Sequence, residues 1–221
     1  MLDQITIGTV ASYDEYEASM KERKISEPKK KSIKETVPFS NVTYDFSAIN
    51  GEVYWEEREL DYVFEITANT PEELEEKRQK FMAWVMNVQN EKLYDPFIED
   101  YHFLATFDSV DVDDSEIEKA TINVTFTAYP YKIKNEATEY TVSLAATIEN
   151  PTTVYNGSSH RITPTFESDV AFTIQQGDTV YSVPAGETVD DSFKLAAGAN
   201  ALILKADASG TVKISFVEEV F

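Results

Sequence analysis

From residue 60 to 67 the chain alternates strictly. Leu60, Tyr62, Phe64 and Ile66 fall on one side, and Asp61, Val63, Glu65 and Thr67 on the other. A period of two with one apolar set predicts a strand with one buried face. The period then changes. Over residues 70–88, Leu74, Phe81, Val85 and Val88 recur at helical spacing, with Trp84 beside them, which predicts an amphipathic helix, its regular part about 71–88. Thr70 suits the N-cap, Pro71 the first helical position, and Glu73 completes a capping box with Thr70. Glu72, Glu73, Glu75 and Glu76 set negative charge at the positive end of the helix dipole. Asn87, Asn90 and the stretch 91–97 end the helix. This is the one helix the pattern predicts, and its apolar face must be covered by the strands on either side.

Those strands are read at residues 4–9, 42–47, 53–55, 101–112 and 121–129, the last with Ile122, Val124, Phe126 and Ala128 inward. Asn50-Gly51 marks a turn, and the acidic loop Asp113-Asp114-Ser115-Glu116 joins the last two strands. Pro130 closes the final one. Residues 13–34 are charge-rich and read as a solvated or interface-facing segment. Pro28 and Pro38 bracket an extended stretch, because a residue before proline avoids the helical region. Residues 132–139 are polar and read as a link or turn.

From Tyr140 charge thins, while Gly, Ser, Thr and Ala rise. Short strands are predicted at 141–148, 163–166, 171–175, 179–183, 192–195, 201–206 and 211–217. Asn156-Gly157, Gln176-Gly177-Asp178, Ala185-Gly186, Gly198 and Ser209-Gly210 punctuate them, a pattern that suits a small β-sandwich. The fold class is therefore mainly β with one helix (α+β): a β-sandwich-like first domain with a packed helix over 1–135, and a small β-sandwich over 136–221.

Composition narrows the chemistry. The chain has 221 residues and no cysteine, which removes disulfides, Cys-based zinc sites and Cys nucleophiles together. No apolar run approaches a membrane span and Met1-Leu2-Asp3 opens no signal peptide, so a soluble, unprocessed chain with no membrane partner is expected. The net charge of −21 argues against nucleic-acid binding through phosphate neutralisation. Residues 1–150 carry 15 of the 19 basic and 31 of the 40 acidic side chains, a net of −16. Lys29-Lys30-Lys31 looks like a basic patch only when isolated from Glu22, Glu27 and Glu35 around it.

Catalysis has little to work with. His102 and His160 lie in different halves, and Ser158 and Ser159 precede His160 without the glycines of a nucleophile elbow. In so acidic a chain, carboxylate pairs arise by chance and do not argue for glycoside hydrolysis. Asp108, Asp111, Asp113, Asp114 and Glu116 lack the glycine and distal glutamate of an EF-hand calcium loop. Sequons stand at Asn41, Asn123 and Asn156. Trp55 and Trp84 both fall in the first part, leaving Tyr155 and Tyr181 as stacking platforms for a sugar in the second. No residue is assigned to catalysis, to a cofactor or to a metal.

One ordered set of motifs goes further. Ile25-Ser26-Glu27-Pro28-Lys29-Lys30-Lys31, then Val37-Pro38, Tyr44-Asp45-Phe46-Ser47 and Asn50-Gly51-Glu52-Val53-Tyr54-Trp55-Glu56-Glu57-Arg58-Glu59-Leu60 resemble the N-terminal domain of siphophage distal tail proteins. The helix with Trp84, a Leu93-Tyr94-Asp95 turn, the Tyr101 strand and the closing Phe126-Thr127-Ala128-Tyr129-Pro130-Tyr131-Lys132 keep that family's order over most of residues 1–132. The family's usual Pro-Gly before the Tyr44 segment is here Pro38-Phe39. Asn150-Pro151, Pro164, Gly198-Ala199-Asn200 and Gly210-Thr211-Val212 are loosely similar to its second, galectin-like sandwich.

The resemblance implies a structural virion protein at the tail tip, assembled in the bacterial host cytoplasm. It implies a homo-hexameric ring joining the tail tube protein above to tail-tip or baseplate proteins below, with receptor-binding proteins as further partners. DNA would pass through the lumen without specific binding, and residues 13–34 would form a belt onto the next subunit. Two other classes remain beside it at this level: a carbohydrate-binding or adhesion module recognising host cell-wall glycan, and a glycan-cleaving enzyme.

Overall fold

The computed structural model describes residues 4–36, 38, 39, 41–47, 52–113, 116 and 118–221. They fall into two compact units, one of Met1–Lys132 with Phe221, the other Ile133–Val220.

The first unit contains, in chain order, β1 (Thr6–Ile7), β2 (Val10–Ala11), α1 (Ser12–Tyr16), β3 (Ser19–Ile25), β4 (Lys34–Thr36), β5 (Thr43–Asp45), β6 (Arg58–Thr67), α2 (Pro71–Met86), β7 (Glu91–Tyr94), β8 (Tyr101–Asp113) and β9 (Lys119–Ala128). Seven strands join in the order β2-β1-β7-β8-β9-β6-β3, while β4 and β5 form a separate hairpin. The alternation in β6 fixes the register. Leu60 faces Phe126, Tyr62 faces Val124 and Phe64 faces Ile122 across an antiparallel ladder. All six of these side chains are buried, so a one-residue slip would turn the whole apolar set outward.

Helix α2 covers part of that face with Leu74, Phe81 and Val85. Its cap differs in one detail from the expected box. The Thr70 hydroxyl accepts from Glu73 N at 3.2 Å, but the Glu73 carboxylate accepts from Asn69 N, one residue earlier, and also pairs with Lys77. Val88 lies past the C-cap Asn87 and is buried in the core. The outer surface of the helix carries i,i+3 and i,i+4 pairs. Of these, Arg78 with Gln79 holds the Glu75 carboxyl down to about 2.

Several expectations need correcting. There is a second helix: α1 was invisible to local pattern because its cap comes from afar. The Gln4 side chain accepts from Tyr13 N and Asp14 N, and the Ser12 hydroxyl accepts from Ile5 N. The single strand expected at 4–9 is instead a tight hairpin, β1 to β2, around Gly8 at φ 62. Residues 13–34 are not one solvated segment, since β3 pairs with β6 inside the chain. Leu93 and Tyr94 belong to strand β7 rather than to a turn, which starts at Asp95. At 53–55 only Trp55 bridges, to Lys30. The Asn50-Gly51 turn, and Asp114 and Ser115 of the acidic loop, lie outside the described residues.

The polar stretch 132–139 is not a bare link. It holds β10 (Lys132–Lys134) and the start of β11 (Thr138–Leu144). Its charges are used: Lys134 Nζ and the Thr138 hydroxyl both bond the Glu218 carboxylate, at 3.2 and 2.9 Å. The second unit continues with β12 (Asn150–Asn156), β13 (Thr165–Ser168), β14 (Phe172–Gln176), β15 (Thr179–Val183), β16 (Gly186–Val189), β17 (Gly198–Ala206), β18 (Gly210–Phe216) and β19 (Glu219–Val220). Two four-stranded sheets, β11-β18-β13-β16 and β12-β17-β14-β15, enclose a core of Phe166, Phe172, Ile174, Phe193, Leu202, Leu204 and Ile214.

Strand β12 was not expected because Pro151 interrupts its signal. Proline is tolerated there because β12 is an edge strand. The strand expected at 192–195 is a turn instead: Asp190 accepts from Ser192 N and Ser192 Oγ, and Leu195 makes only an isolated bridge to Ile162. The fold is mainly β, with a helix packed on a sheet in the first unit and a sandwich in the second.

Candidate assembly interface

The described residues between 26 and 57 lie between two strands of the first unit's sheet, β3 and β6, and form an arm off it. Ser26 N donates to Glu59 O at 2.9 Å at the root. Farther out, Lys31 N donates to Tyr54 O and Glu56 N to Lys29 O, each at 2.8 Å, and β4 pairs with β5. Backbone hydrogen bonds therefore hold this arm together, with little core. Among its described residues only Pro28 and Ser47 are buried, and Ser47 is held by bonds to Ile33 and Asp45. Ile33, Val42, Tyr44, Phe46, Val53 and Tyr54 are instead exposed, Val42 and Tyr44 to more than half. Single exposed apolar residues are ordinary on a protein surface. With Phe39, seven described residues of one arm expose large apolar side chains, more than single scattered positions account for.

The turn between β4 and β5 resolves the Pro38-Phe39 departure. Phe39 takes φ 66 and is fully exposed. That is the left-handed region glycine enters freely and a Cβ-bearing residue enters at a cost of about 1–2 kcal/mol. Phe39→Gly is expected to raise protection of the amides across β4 and β5 by roughly 1 kcal/mol in hydrogen exchange. Unchanged protection would mean the turn carries no strain.

A buried polar lock stands near the arm's own strand. Asp95, whose side chain is wholly buried, accepts from Arg23 Nε at 2.9 Å, from the Tyr62 hydroxyl at 3.0 Å and from Phe97 N at 2.9 Å. The Arg23 guanidinium also lies 4.9 Å over the Phe97 ring. Tyr62 reads as inward-facing in the sequence, but nothing there marks Asp95 or Arg23 as its partners, and Asp95 reads only as part of the Leu93-Tyr94-Asp95 turn.

The other candidate side chains are not brought into one site. His102 is buried in β8 against the Tyr94 ring, and His160 lies in the second unit with its Nε2 3.3 Å from the Glu219 carboxylate. Ser158 is buried, its hydroxyl accepting from Glu219 N. Asn156 is buried too, and its amide donates to the carbonyls of His160, Leu195 and Ala196, so this sequon is closed to modification. Tyr155 is exposed on the edge strand β12, whereas Tyr181 is on the opposite edge strand, β15, packed inward on Phe193. They form no common sugar platform. A shallow depression of about 580 Å³ bordered by Thr173, Ser182, Pro184, Lys205 and Asp207 offers no exposed aromatic face.

Asp108, Asp111 and Asp113 are exposed along β8, and no group of three or more acidic or histidine side chains converges as a metal site among the described residues. The carboxyls of Asp45, Glu73, Glu75, Glu76 and Asp190 are all pushed down, chiefly by hydrogen bonds from neighbouring side chains.

The sequence matches no protein-family model and no curated protein. Among solved structures it is similar to SPP1 Dit (gp 19.1), described as a paradigm of the hub adsorption apparatus in phages that infect Gram-positive bacteria. The likeness covers 100% of both chains with a TM-score of 0.70 and 15% identity. At that identity the likeness is one of fold: the chain shares the fold of SPP1 Dit.

Proposed function

We propose that this chain is a structural component of a siphophage tail tip, in which six copies close into a ring between the tail tube and the tail-tip or baseplate proteins. The arm at residues 26–57 carries this reading. It displays Ile33, Val42, Tyr44, Phe46, Val53 and Tyr54 with almost no core of its own, as a segment that completes its burial on a neighbouring copy would. The likeness in fold to a tail hub protein supports it. The protein acts by assembly rather than by catalysis, in the virion tail after synthesis in the host cytoplasm, with receptor-binding proteins as further partners.

The acidic balance of the first part suits a passage for DNA. With a net of −16 over residues 1–150 in each copy, a lumen wall of that sign repels phosphates at short range and offers no counterion-releasing contacts. The domain division is proposed to fall between residues 131 and 140. Light scattering of the full chain should give a sixfold mass, and limited proteolysis within 132–139 should leave that ring intact in the N-terminal fragment. A monomer at high concentration across several salt conditions would refute the ring. Cleavage scattered over both units, with none at the junction, would refute the division.

A further inference from the structure

Arg58 opens β6 on the same face as Leu60 and Tyr62 and is only 2% exposed. Its Nε and Nη2 atoms are buried and make no hydrogen bond with any described residue. Asp95, buried in the same unit, accepts three. The Phe103 ring, 5.6 Å from the guanidinium carbon, addresses the cation but satisfies no N–H. The charges around Arg58 deepen the imbalance. Lys132 is held below its usual range by burial first and then by Arg58, Arg23 is already committed to Asp95, and Glu27 is the acid acting on both Arg58 and Lys132.

Arginine cannot shed its proton to escape such a site. An unpaired guanidinium kept from water is costly unless an anion arrives. The two unpaired atoms define what fits. Nε and Nη2 form the side-on edge of the fork, two parallel donors that match the two oxygens of a carboxylate.

We propose that Arg58, with Lys132 beside it, receives a carboxylate from a neighbouring copy of this chain, an inference that rests on the ring reading above. Charge complementarity selects that occupant: with 40 acidic against 19 basic residues, the surface a second copy presents is rich in carboxylates. The position agrees. The arm is rooted on the very next residue, where Ser26 bonds Glu59 through both its amide and its hydroxyl. A neighbour that engages the arm thus acts at the strand end that bears Arg58.

The test is Arg58→Met in the full chain, read by light scattering and sedimentation across concentration. The dissociation constant of the oligomer should rise at least tenfold, while thermal unfolding of the dissociated chain stays level or shifts upward, because an apolar side chain replaces an unpaired buried charge. If Arg58→Met loses its near-ultraviolet circular dichroism, Arg58→Lys takes its place. It keeps the charge without the fork and should weaken assembly comparably. Assembly at wild-type strength by a folded variant overturns the proposal and leaves the ring reading standing. A wild-type chain that never oligomerises overturns both. Replacing chloride by inorganic phosphate at equal ionic strength separates the other source of oxyanion. Stabilisation of the dissociated wild type but not of Arg58→Met would assign the site to a free anion and overturn the partner carboxylate.

Discussion

Phe81→Ala is expected to destabilise the first unit by about 3–5 kcal/mol, the range for truncating a buried phenylalanine. Phe81 has no exposed surface. Its ring meets Phe64 of β6 at 5.0 Å, Trp84 at 5.7 Å and Tyr16 of α1 at 6.1 Å. One side chain thus joins both helices to the sheet. The cavity would be hard to close from either side. Phe64 is held by the β6–β9 register, and Tyr16 is already stacked on Trp84 at 4.9 Å. The cost should therefore fall toward the upper part of the range. Both tryptophans lie in the first unit, so intrinsic fluorescence in a denaturant titration follows that unit directly. A loss below about 1 kcal/mol would mean that α2 does not seal the core.

What the sequence made legible and what it hid divide along physical lines. Strands β6 and β9 and helix α2 were readable because each buries one face, so period and burial coincide residue by residue. The elements that escaped notice take their order from distant partners. Helix α1 is capped by Gln4 across a hairpin, and β7 shows a single buried residue, Leu93. Strand β12 carries a proline that only its edge position allows.

The same reasoning explains why the candidate interface was only partly visible. The resemblance implied a belt at residues 13–34, of which only 26–34 lie in the arm, and Pro28 and Pro38 marked an extended stretch, but a Tyr or Phe in an extended run does not say whether its ring is covered. Buried charge was wholly hidden. Arg58 and Asp95 sit among many charged residues of identical type, and nothing in local pattern separates a buried one from a solvated one.

Asp95→Ala should cost about 3 kcal/mol, the lower end of the range for removing one partner of a buried ion pair, because the Arg23 left behind is partly exposed. The aspartate ties three elements together: Arg23 comes from β3, Tyr62 from β6, and Phe97 N from the turn after β7. Without it, the Tyr62 hydroxyl is left as a buried donor, while Arg23, whose side chain is 30% exposed, recovers part of its hydration. Tyr62→Phe removes one donor and leaves the ion pair, so it should cost less, about 1.5–3 kcal/mol for a hydrogen bond to a charged group.

The pH dependence provides a separate check. Burial, and then Asp95, push the Tyr62 phenol well above its ordinary value of 10.0. A folded-state value raised in this way contributes stability that is fully present below pH 10 and is lost as the pH rises through the folded value. Because burial is the larger cause, Asp95→Ala should retain much of that alkaline loss, whereas Tyr62→Phe should remove the Tyr62 share altogether. Denaturant unfolding at pH 7 and above pH 10 for the three proteins measures both effects. If Asp95→Ala costs under about 1 kcal/mol at pH 7, Asp95 does not lock these three elements. If the alkaline loss is the same with and without the Tyr62 hydroxyl, that phenol does not govern it.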